Sequence, residues 1–362
     1  MALESIIRKT WNQNILFSAL VELTYKCNLN CFYCYNDLAL SGHALRDEQW
    51  LRFFDDLALM QVMNLTLSGG EPLSHPSFLE LGRHARQLGF VVRIKSNGHA
   101  LRGRLARQVK DEIDPFVIEI SLHGATAEAH DRQTRIPGSF DRLVANLGEL
   151  RDLGLRIKLN CTLTVWNESE IDGIFALTDR LGLPMAIHPT VTPRDDGDTT
   201  PLQIAPTSEG IQRLYAALDR RIPDSETRAD SEGPDGCTPT SGVETNCGAG
   251  TAGIAVDPYG NVYPCVQWRR SIGNLHEQSI RDIWEGGSSD LEEVREINRA
   301  ARRMRDEREA MGDPLGHCMG LAVEKTGDPL GLDPEARRHV DLRADLDASK
   351  PAKRRSLLPV VS

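Results

Sequence analysis

Between residue 15 and about residue 210, short apolar runs alternate with stretches whose apolar positions recur every three to four residues. FSALVELTY (17–25), MNLTLSG (63–69), FVVRIKSN (90–97), PFVIEISL (115–122), LRIKLNCTL (155–163) and PMAIHPTV (184–191) read as buried strands. The intervening DEQWLRFFDDLALM, PSFLELGRHARQLG, SFDRLVANLGELRDLG and ESEIDGIFALTDRLG read as amphipathic helices. Several end at a glycine (Gly89, Gly154, Gly182), where a left-handed cap is expected. Six strands, each followed by a crossover, predict an α/β fold with a parallel sheet. Six such units, rather than eight, predict an open, partial (β/α)6 barrel of the TIM type.

The pattern changes after residue 195. DDGDTTPLQIAP and PDSETRADSEGPDG carry turn chemistry and flank one helix, TSEGIQRLYAALDRR. A smaller unit follows, with a hairpin in GIAVDPYGNVYPC that turns at Asp257-Pro258-Tyr259-Gly260. The expected organisation is a barrel over 1–210, a linker over 211–235, a small C-terminal domain over 236–325 and a charged, flexible tail over 326–362.

Charge narrows the partners. With 42 Lys and Arg against 52 Asp and Glu, the 362-residue chain carries −10, which argues against a nucleic-acid partner. No apolar run reaches the length of a membrane span, and ILFSALV (15–21) is too short for a secretory signal. The expectation is a cytoplasmic protein with no membrane partner, whose clustered thiols stay reduced and hold metal.

Cys27, Cys31 and Cys34 lie in TYKCNLNCFYCY at the spacing C-x3-C-x2-C, directly after the first strand. In a parallel barrel the C-terminal strand edge is where sites are built. Thiolates select zinc, copper or iron–sulfur clusters. Structural zinc wants four ligands, and the nearest fourth candidate is His43. Three thiolates suit a 4Fe–4S cluster better, because one iron is then left open for chemistry.

This triad, with Tyr33 before its last cysteine, resembles the hallmark of the radical S-adenosylmethionine (radical SAM) enzymes. The resemblance implies that the open iron binds S-adenosylmethionine, whose reductive cleavage gives a 5′-deoxyadenosyl radical. Further motifs follow in order over residues 20 to 165. Ser68-Gly69-Gly70-Glu71-Pro72 looks like the family's GGEP motif, with glycines that allow close approach to the methionine amine and Glu71 as an acceptor for it. Asn97 lies in the turn after the third strand, where the resemblance implies a contact with the cofactor. Ser121 ends the fourth, and His130-Asp131-Arg132 with Gly138-Ser139-Phe140 matches a family stretch beyond it. By the same resemblance Ser121 and Asn160 are cofactor contacts, and either Arg132 or Arg135 pairs with the methionine carboxylate.

Cys247 and Cys265 frame C-x12-G-x4-C, which resembles the opening of the SPASM/twitch extension, a holder of auxiliary iron–sulfur clusters. Ile272-Gly273-Asn274-Leu275 and Ile283-Trp284 match its next segment. The later cysteine motif of a full SPASM domain is absent, and only Cys318 follows. The count implies one auxiliary 4Fe–4S cluster on Cys237, Cys247, Cys265 and Cys318, with a zinc ribbon as the plainer alternative. Cys161, in an apolar strand, reads as a buried structural thiol.

The resemblance implies a radical SAM oxidoreductase or maturase that abstracts hydrogen from its substrate. TPRDDGDTTPL is similar to stretches in the peptide-modifying branch of the family, which implies a ribosomally made precursor peptide undergoing crosslinking or oxidation, with a separate leader-binding protein and a flavodoxin or ferredoxin as reductant. Val266 stands where sulfatase-maturing relatives often carry an acidic residue, against formylglycine formation. The alternatives are dehydrogenation of a small molecule such as an aminocyclitol, modification of a haem precursor, or a non-enzymatic metal-binding scaffold. Asp195, Asp196 and Asp198 read as a solvated acidic loop.

Overall fold

A computed structural model describes residues 2–37, 39–221, 242–313 and 315–348. A first helix, α1 (Ala2–Asn12), precedes strand β1 (Ser18–Glu22). Then come α2 (Asp47–Leu59), β2 (Asn64–Ser68), α3 (Phe78–Gln87), β3 (Val91–Ser96) and α4 (Gly103–Gln108). The barrel continues with β4 (Val117–Ser121), α5 (Ala127–Thr134), α6 (Ser139–Asp152), β5 (Ile157–Thr162), α7 (Ile171–Leu181) and β6 (Met185–His188). Strands β1 to β6 pair in parallel with each neighbour in turn.

The alternation seen in sequence sets the two faces. In β3 and β5 every second side chain is buried, and Val92, Ile94, Ile157 and Leu159 pack outward beneath the helices. Trp50, Phe53, Phe54 and Leu57 of α2 follow a helical period and join the same core. The other strand face, with Arg93, Lys95, Lys158 and Asn160, lines the concave side of the open barrel and is only partly buried.

The C-terminal unit expected over 236–325 continues the sheet of the barrel. After α8 (Ser208–Arg221), β7 (Gly253–Val256) pairs in parallel with β1. The hairpin partner β8 (Asn261–Tyr263) and the short β9 (Gly273–Asn274) then add antiparallel strands. One nine-stranded sheet therefore runs β6-β5-β4-β3-β2-β1-β7-β8-β9. Helix α1 fastens this join: Asn12 hydrogen-bonds the Gly242 carbonyl and the Glu244 N–H, both at 3.0 Å. Trp11 packs with Val243 and Ala252.

Helices α9 (Ile280–Glu285), α10 (Ser289–Ala310) and α11 (Met319–Thr326) complete the unit. The expected flexible tail is in part a helix, α12 (Pro334–Ala348), packed on α8. Its Arg343 is 1% exposed and bonds Asp219 at 3.0 Å, while His339 Nδ1 meets Tyr215 Oη at 2.9 Å. The expected linker starts as α8, and residues 222–235 lie outside the described residues. Among the described residues no helix is long and apolar enough to cross a membrane.

Candidate active site

Parallel pairing brings the ends of β1 to β6 to one edge, and the candidate residues of the barrel gather there. The loop after β1 carries Cys27, Cys31 and Cys34, and the turn after β2 is stitched beneath it. Gly70 N–H donates to the Thr24 carbonyl at 2.7 Å, and Glu71 N–H to the Lys26 carbonyl at 2.9 Å. Ser68, buried, accepts at its carbonyl from Leu23 N–H at 3.0 Å.

Both glycines are required by this approach. A Cβ at Gly69 would sit 2.3 Å from the Thr24 oxygen, and the residue's φ of +132° is foreign to L side chains. A Cβ at Gly70 would lie 2.6 Å from the Tyr25 oxygen and 2.8 Å from that of Lys26. We expect Gly70→Ala to push the cysteine loop off the turn at a cost of about 1–3 kcal/mol. Thermal unfolding of the purified variant, together with its iron content, checks this; an unchanged melting temperature would contradict the packing argument.

Glu71 is held from several sides by this chain. Its Oε1 accepts from Leu73 N–H at 3.1 Å and Ser96 Oγ at 2.9 Å, and its Oε2 from Asn97 N–H at 2.7 Å. Both oxygens thus accept from this chain, and the buried carboxylate braces the turn after β3. Asn97 passes that order on: its Nδ2 reaches Asn28 Oδ1 at 2.7 Å and Cys27 Sγ at 3.7 Å.

Helix α5 holds the cysteine loop from the other side. Asn30 and Phe32 donate their N–H groups to the Thr134 and Gln133 carbonyls. Arg135 stacks on Phe32 at 4.4 Å, and Arg132 on Trp166 at 4.5 Å. Of the two arginines, Arg135 is the one that touches the cysteine loop. Asp131 caps α6, accepting from Gly138 N–H, Ser139 Oγ and Phe140 N–H at 2.6–2.8 Å. Burial opposes its charge, but these donors outweigh it and hold the carboxyl below its usual range.

Three features escaped the sequence reading. His123 is buried and accepts Thr162 N–H at Nδ1 (3.1 Å), so its proton resides on Nε2, which meets the hydroxyl of Tyr33. Burial holds His123 well below its ordinary pKa, and therefore neutral. The second is Glu22, 0% exposed at the end of β1. It receives Arg269 at both oxygens (2.9 and 3.0 Å), Tyr25 Oη at 3.0 Å and Tyr35 Oη at 3.2 Å. The third is Asp195, which is no solvated residue. It lies 2.9 Å from Arg269 Nη2, and its N–H bonds the Tyr35 carbonyl at 2.8 Å. A lone acid inside the apolar run FSALVELTY was the available signal for Glu22. Asp195 offered none.

In the C-terminal unit hydrogen bonds and close packing link the segments that carry three candidate cysteines. Asn298 Oδ1 accepts from the N–H groups of Asn246 (2.7 Å) and Cys247 (3.2 Å), and Asn246 Nδ2 reaches the His317 carbonyl at 2.8 Å. That ties the segment of Cys247 to the residue before Cys318. A Cβ at Gly320 would strike the Gln267 carbonyl at 2.3 Å, so α11 presses on the strand end that carries Cys265. Cys237 lies outside the described residues. Cys161 is buried, accepts from Asn167 Nδ2 at 3.3 Å and stands apart from both groups.

The donor sets suit iron–sulfur clusters. Seven described cysteines are free thiols. Burial pushes the Cys31 thiol up to about 12 and raises those of Cys27, Cys34 and Cys318, so their thiolate forms need a bound cation. Among the described residues no three His, Cys, Asp or Glu close on a single ion. Thiolates are the soft ligands that iron–sulfur clusters take.

Family comparison agrees with the geometry. The model described as Radical SAM superfamily matches residues 21–177, and that of an iron–sulfur cluster-binding domain, SPASM, matches 247–311. The mycofactocin maturase MftC of Mycobacterium tuberculosis is 32% identical over 337 residues, covering 87% of this chain and 81% of the relative. The chain belongs to the radical SAM superfamily and carries the SPASM extension. It is an enzyme whose cofactors are S-adenosylmethionine, the 4Fe–4S cluster that binds it, and auxiliary iron–sulfur clusters.

An AdoMet-dependent heme synthase of Methanosarcina barkeri is 29% identical over 341 residues (86% of this chain, 94% of the relative). A PqqA peptide cyclase of Ruegeria pomeroyi is 29% identical over 340 residues (89% and 87%). Streptococcus suis SuiB, solved bound to the precursor peptide SuiA, shares the fold with a TM-score of 0.68 at 12% identity, over 92% of this chain and 78% of SuiB.

Proposed function

We propose that this enzyme oxidises a ribosomally made peptide, with Cys27, Cys31 and Cys34 holding the catalytic cluster and Cys237, Cys247, Cys265 and Cys318 an auxiliary one. With the cofactors bound, one-electron reduction supplies a carbon radical able to take a hydrogen atom from an unactivated C–H bond. The chain's own residues orient and enclose. Glu71 and Asn97 fix the Cys27 side of the loop, and Arg135 fixes the Phe32 side. Ser68, Gly69, Gly70, Glu71, Asn97, Ser121, Asn160 and one of Arg132 and Arg135 are the candidate contacts for S-adenosylmethionine, with Ser121 and Asn160 in register on adjacent strands.

The observation that carries the peptide reading is the match to a peptide cyclase along 89% of this chain, in a fold shared with an enzyme solved on its precursor peptide. The reading includes a separate leader-binding protein, a flavodoxin- or ferredoxin-like reductant and a reducing cytoplasm. The haem-precursor alternative rests on the equally identical Methanosarcina relative, matched over 94% of its length.

The test is anaerobic incubation of the reconstituted enzyme with S-adenosylmethionine, reductant and the peptide encoded beside its gene. A peptide product lighter by two hydrogen atoms, formed with 5′-deoxyadenosine, is the expected result. An unaltered peptide beside a modified haem precursor would transfer the assignment to the alternative.

A further inference from the structure

Helix α10 brings a guanidinium to the joint between two cysteine segments. Asn246, the residue before Cys247, is buried, and its Nδ2 reaches the carbonyl of His317, the residue before Cys318. Its oxygens face α10: Arg305 Nη1 donates to Oδ1 at 3.2 Å and to the backbone carbonyl at 3.5 Å. Asn298, two turns earlier on the same helix, accepts the N–H groups of Asn246 and Cys247. The helix thus fixes the Arg305 charge one residue away from Cys247.

The neighbours of Arg305 on this helix are matched to acids. Arg302, one turn before, holds Asp306 at 2.8 and 2.9 Å, and Arg308, one turn after, holds Asp313. Among the described residues Arg305 hydrogen-bonds only the neutral oxygens of Asn246. Burial, and then Arg302, hold its pKa below the ordinary value, while Asp306, Glu309 and the Cys247 sulfur pull the other way. Asp306 already serves Arg302, and Glu309 is exposed. A half-buried guanidinium with an amide for a partner is costly unless an anion stands near it. An iron–sulfur cluster on thiolate ligands is such an anion.

We infer that Arg305 is the electrostatic partner of the auxiliary cluster and raises its reduction potential. The inference rests on the ligand set proposed above for that cluster. Taking up an electron adds negative charge to a body that its thiolates already make anionic, so a fixed cation nearby favours the reduced state. Partial burial keeps salt from screening the attraction as it does at an open surface.

The experiment uses the reconstituted full-length chain in which Cys27, Cys31 and Cys34 are replaced by alanine, so that the auxiliary cluster alone reports. Iron and sulfide are counted first. The midpoint potential is then read by anaerobic redox titration followed by electron paramagnetic resonance. Arg305→Gln keeps a donor for the Asn246 oxygens and removes the charge, and Arg305→Lys restores the charge. Arg303→Gln, exposed on the same helix, is the charge control.

Arg305→Gln is expected to lower the midpoint by about 59 mV, a tenfold loss of reduced over oxidised cluster at a fixed potential. Arg305→Lys should recover most of that loss, and Arg303→Gln should leave the midpoint unmoved. Iron lost from Arg305→Gln but kept in Arg305→Lys would equally support a charge paired with the cluster. An unmoved midpoint in a fully loaded Arg305→Gln, a fall shared by Arg303→Gln, or iron lost from both Arg305 variants overturns the inference. In those cases the ligand assignment stands. Iron absent before any arginine is changed removes the auxiliary cluster, and the assignment and the inference then fall together.

Discussion

Replacing Cys27, Cys31 and Cys34 together by alanine is expected to lower the iron content of the reconstituted chain from about eight atoms to about four, and to abolish 5′-deoxyadenosine formation. The reason is spatial. These thiols sit on one loop, pinned by the turn after β2 and by α5, whereas the segments of Cys247, Cys265 and Cys318 are linked by Asn298, Asn246 and α11. The two sets share no ligand, so one should fill without the other. Iron and sulfide assays on wild type and the triple variant measure this directly. About four irons falling to none would leave the C-terminal cysteines without a cluster. An iron content unmoved by the triple change would remove Cys27, Cys31 and Cys34 as ligands.

Substituting Arg269 by methionine should cost about 3–5 kcal/mol of stability at pH 8, because it leaves buried carboxylates without their cation. Glu22 has no solvent exposure, and Asp195 shares the same guanidinium. Burial already pushes the Asp195 carboxyl up to about 6, against the pull of Arg269. For an acid raised in the folded state, the favourable contribution is complete below the unfolded value, near 3.9, and disappears as pH rises through the folded value. Loss of Arg269 raises that folded value further. The deficit of the variant should therefore be largest at pH 8 and shrink toward pH 5. Anaerobic urea titrations at both pH values read it. Adding Glu22→Gln should restore part of the loss, since the uncompensated charge disappears with it. A deficit below about 1 kcal/mol at pH 8, or one indifferent to pH, would mean that water or another group replaces the guanidinium.

Local pattern carried the sequence reading as far as neighbouring residues could. The six parallel strands and their helices were legible because each buries a periodic face of its own. The cysteine loop and the glycine pair were legible because their spacing is itself the chemistry. What stayed hidden depends on partners remote in sequence. Asp195 looked like surface because its cation, Arg269, arrives from beyond the hairpin. Glu71 also braces Ser96 and Asn97, a role its own motif did not announce. Helix α12 looked like a solvated tail because its buried residues are His339 and Arg343, which hydropathy assigns to water and which Tyr215 and Asp219 instead draw inward. The hairpin showed as a hairpin, but nothing in its own residues named β1 as the strand it would join.

That join sets a schedule for synthesis. Ser18 and Ala252, which meet where β1 receives its second neighbour, are 234 residues apart. At about 5–20 residues per second, a ribosome takes roughly ten to fifty seconds to bridge that interval. Throughout it, one side of β1 has no strand to pair with, and a bare strand edge recruits other chains. The nascent barrel is therefore most exposed to misassembly before its last third emerges. A chain stopped ahead of the hairpin should accumulate as aggregate rather than as a free-standing barrel.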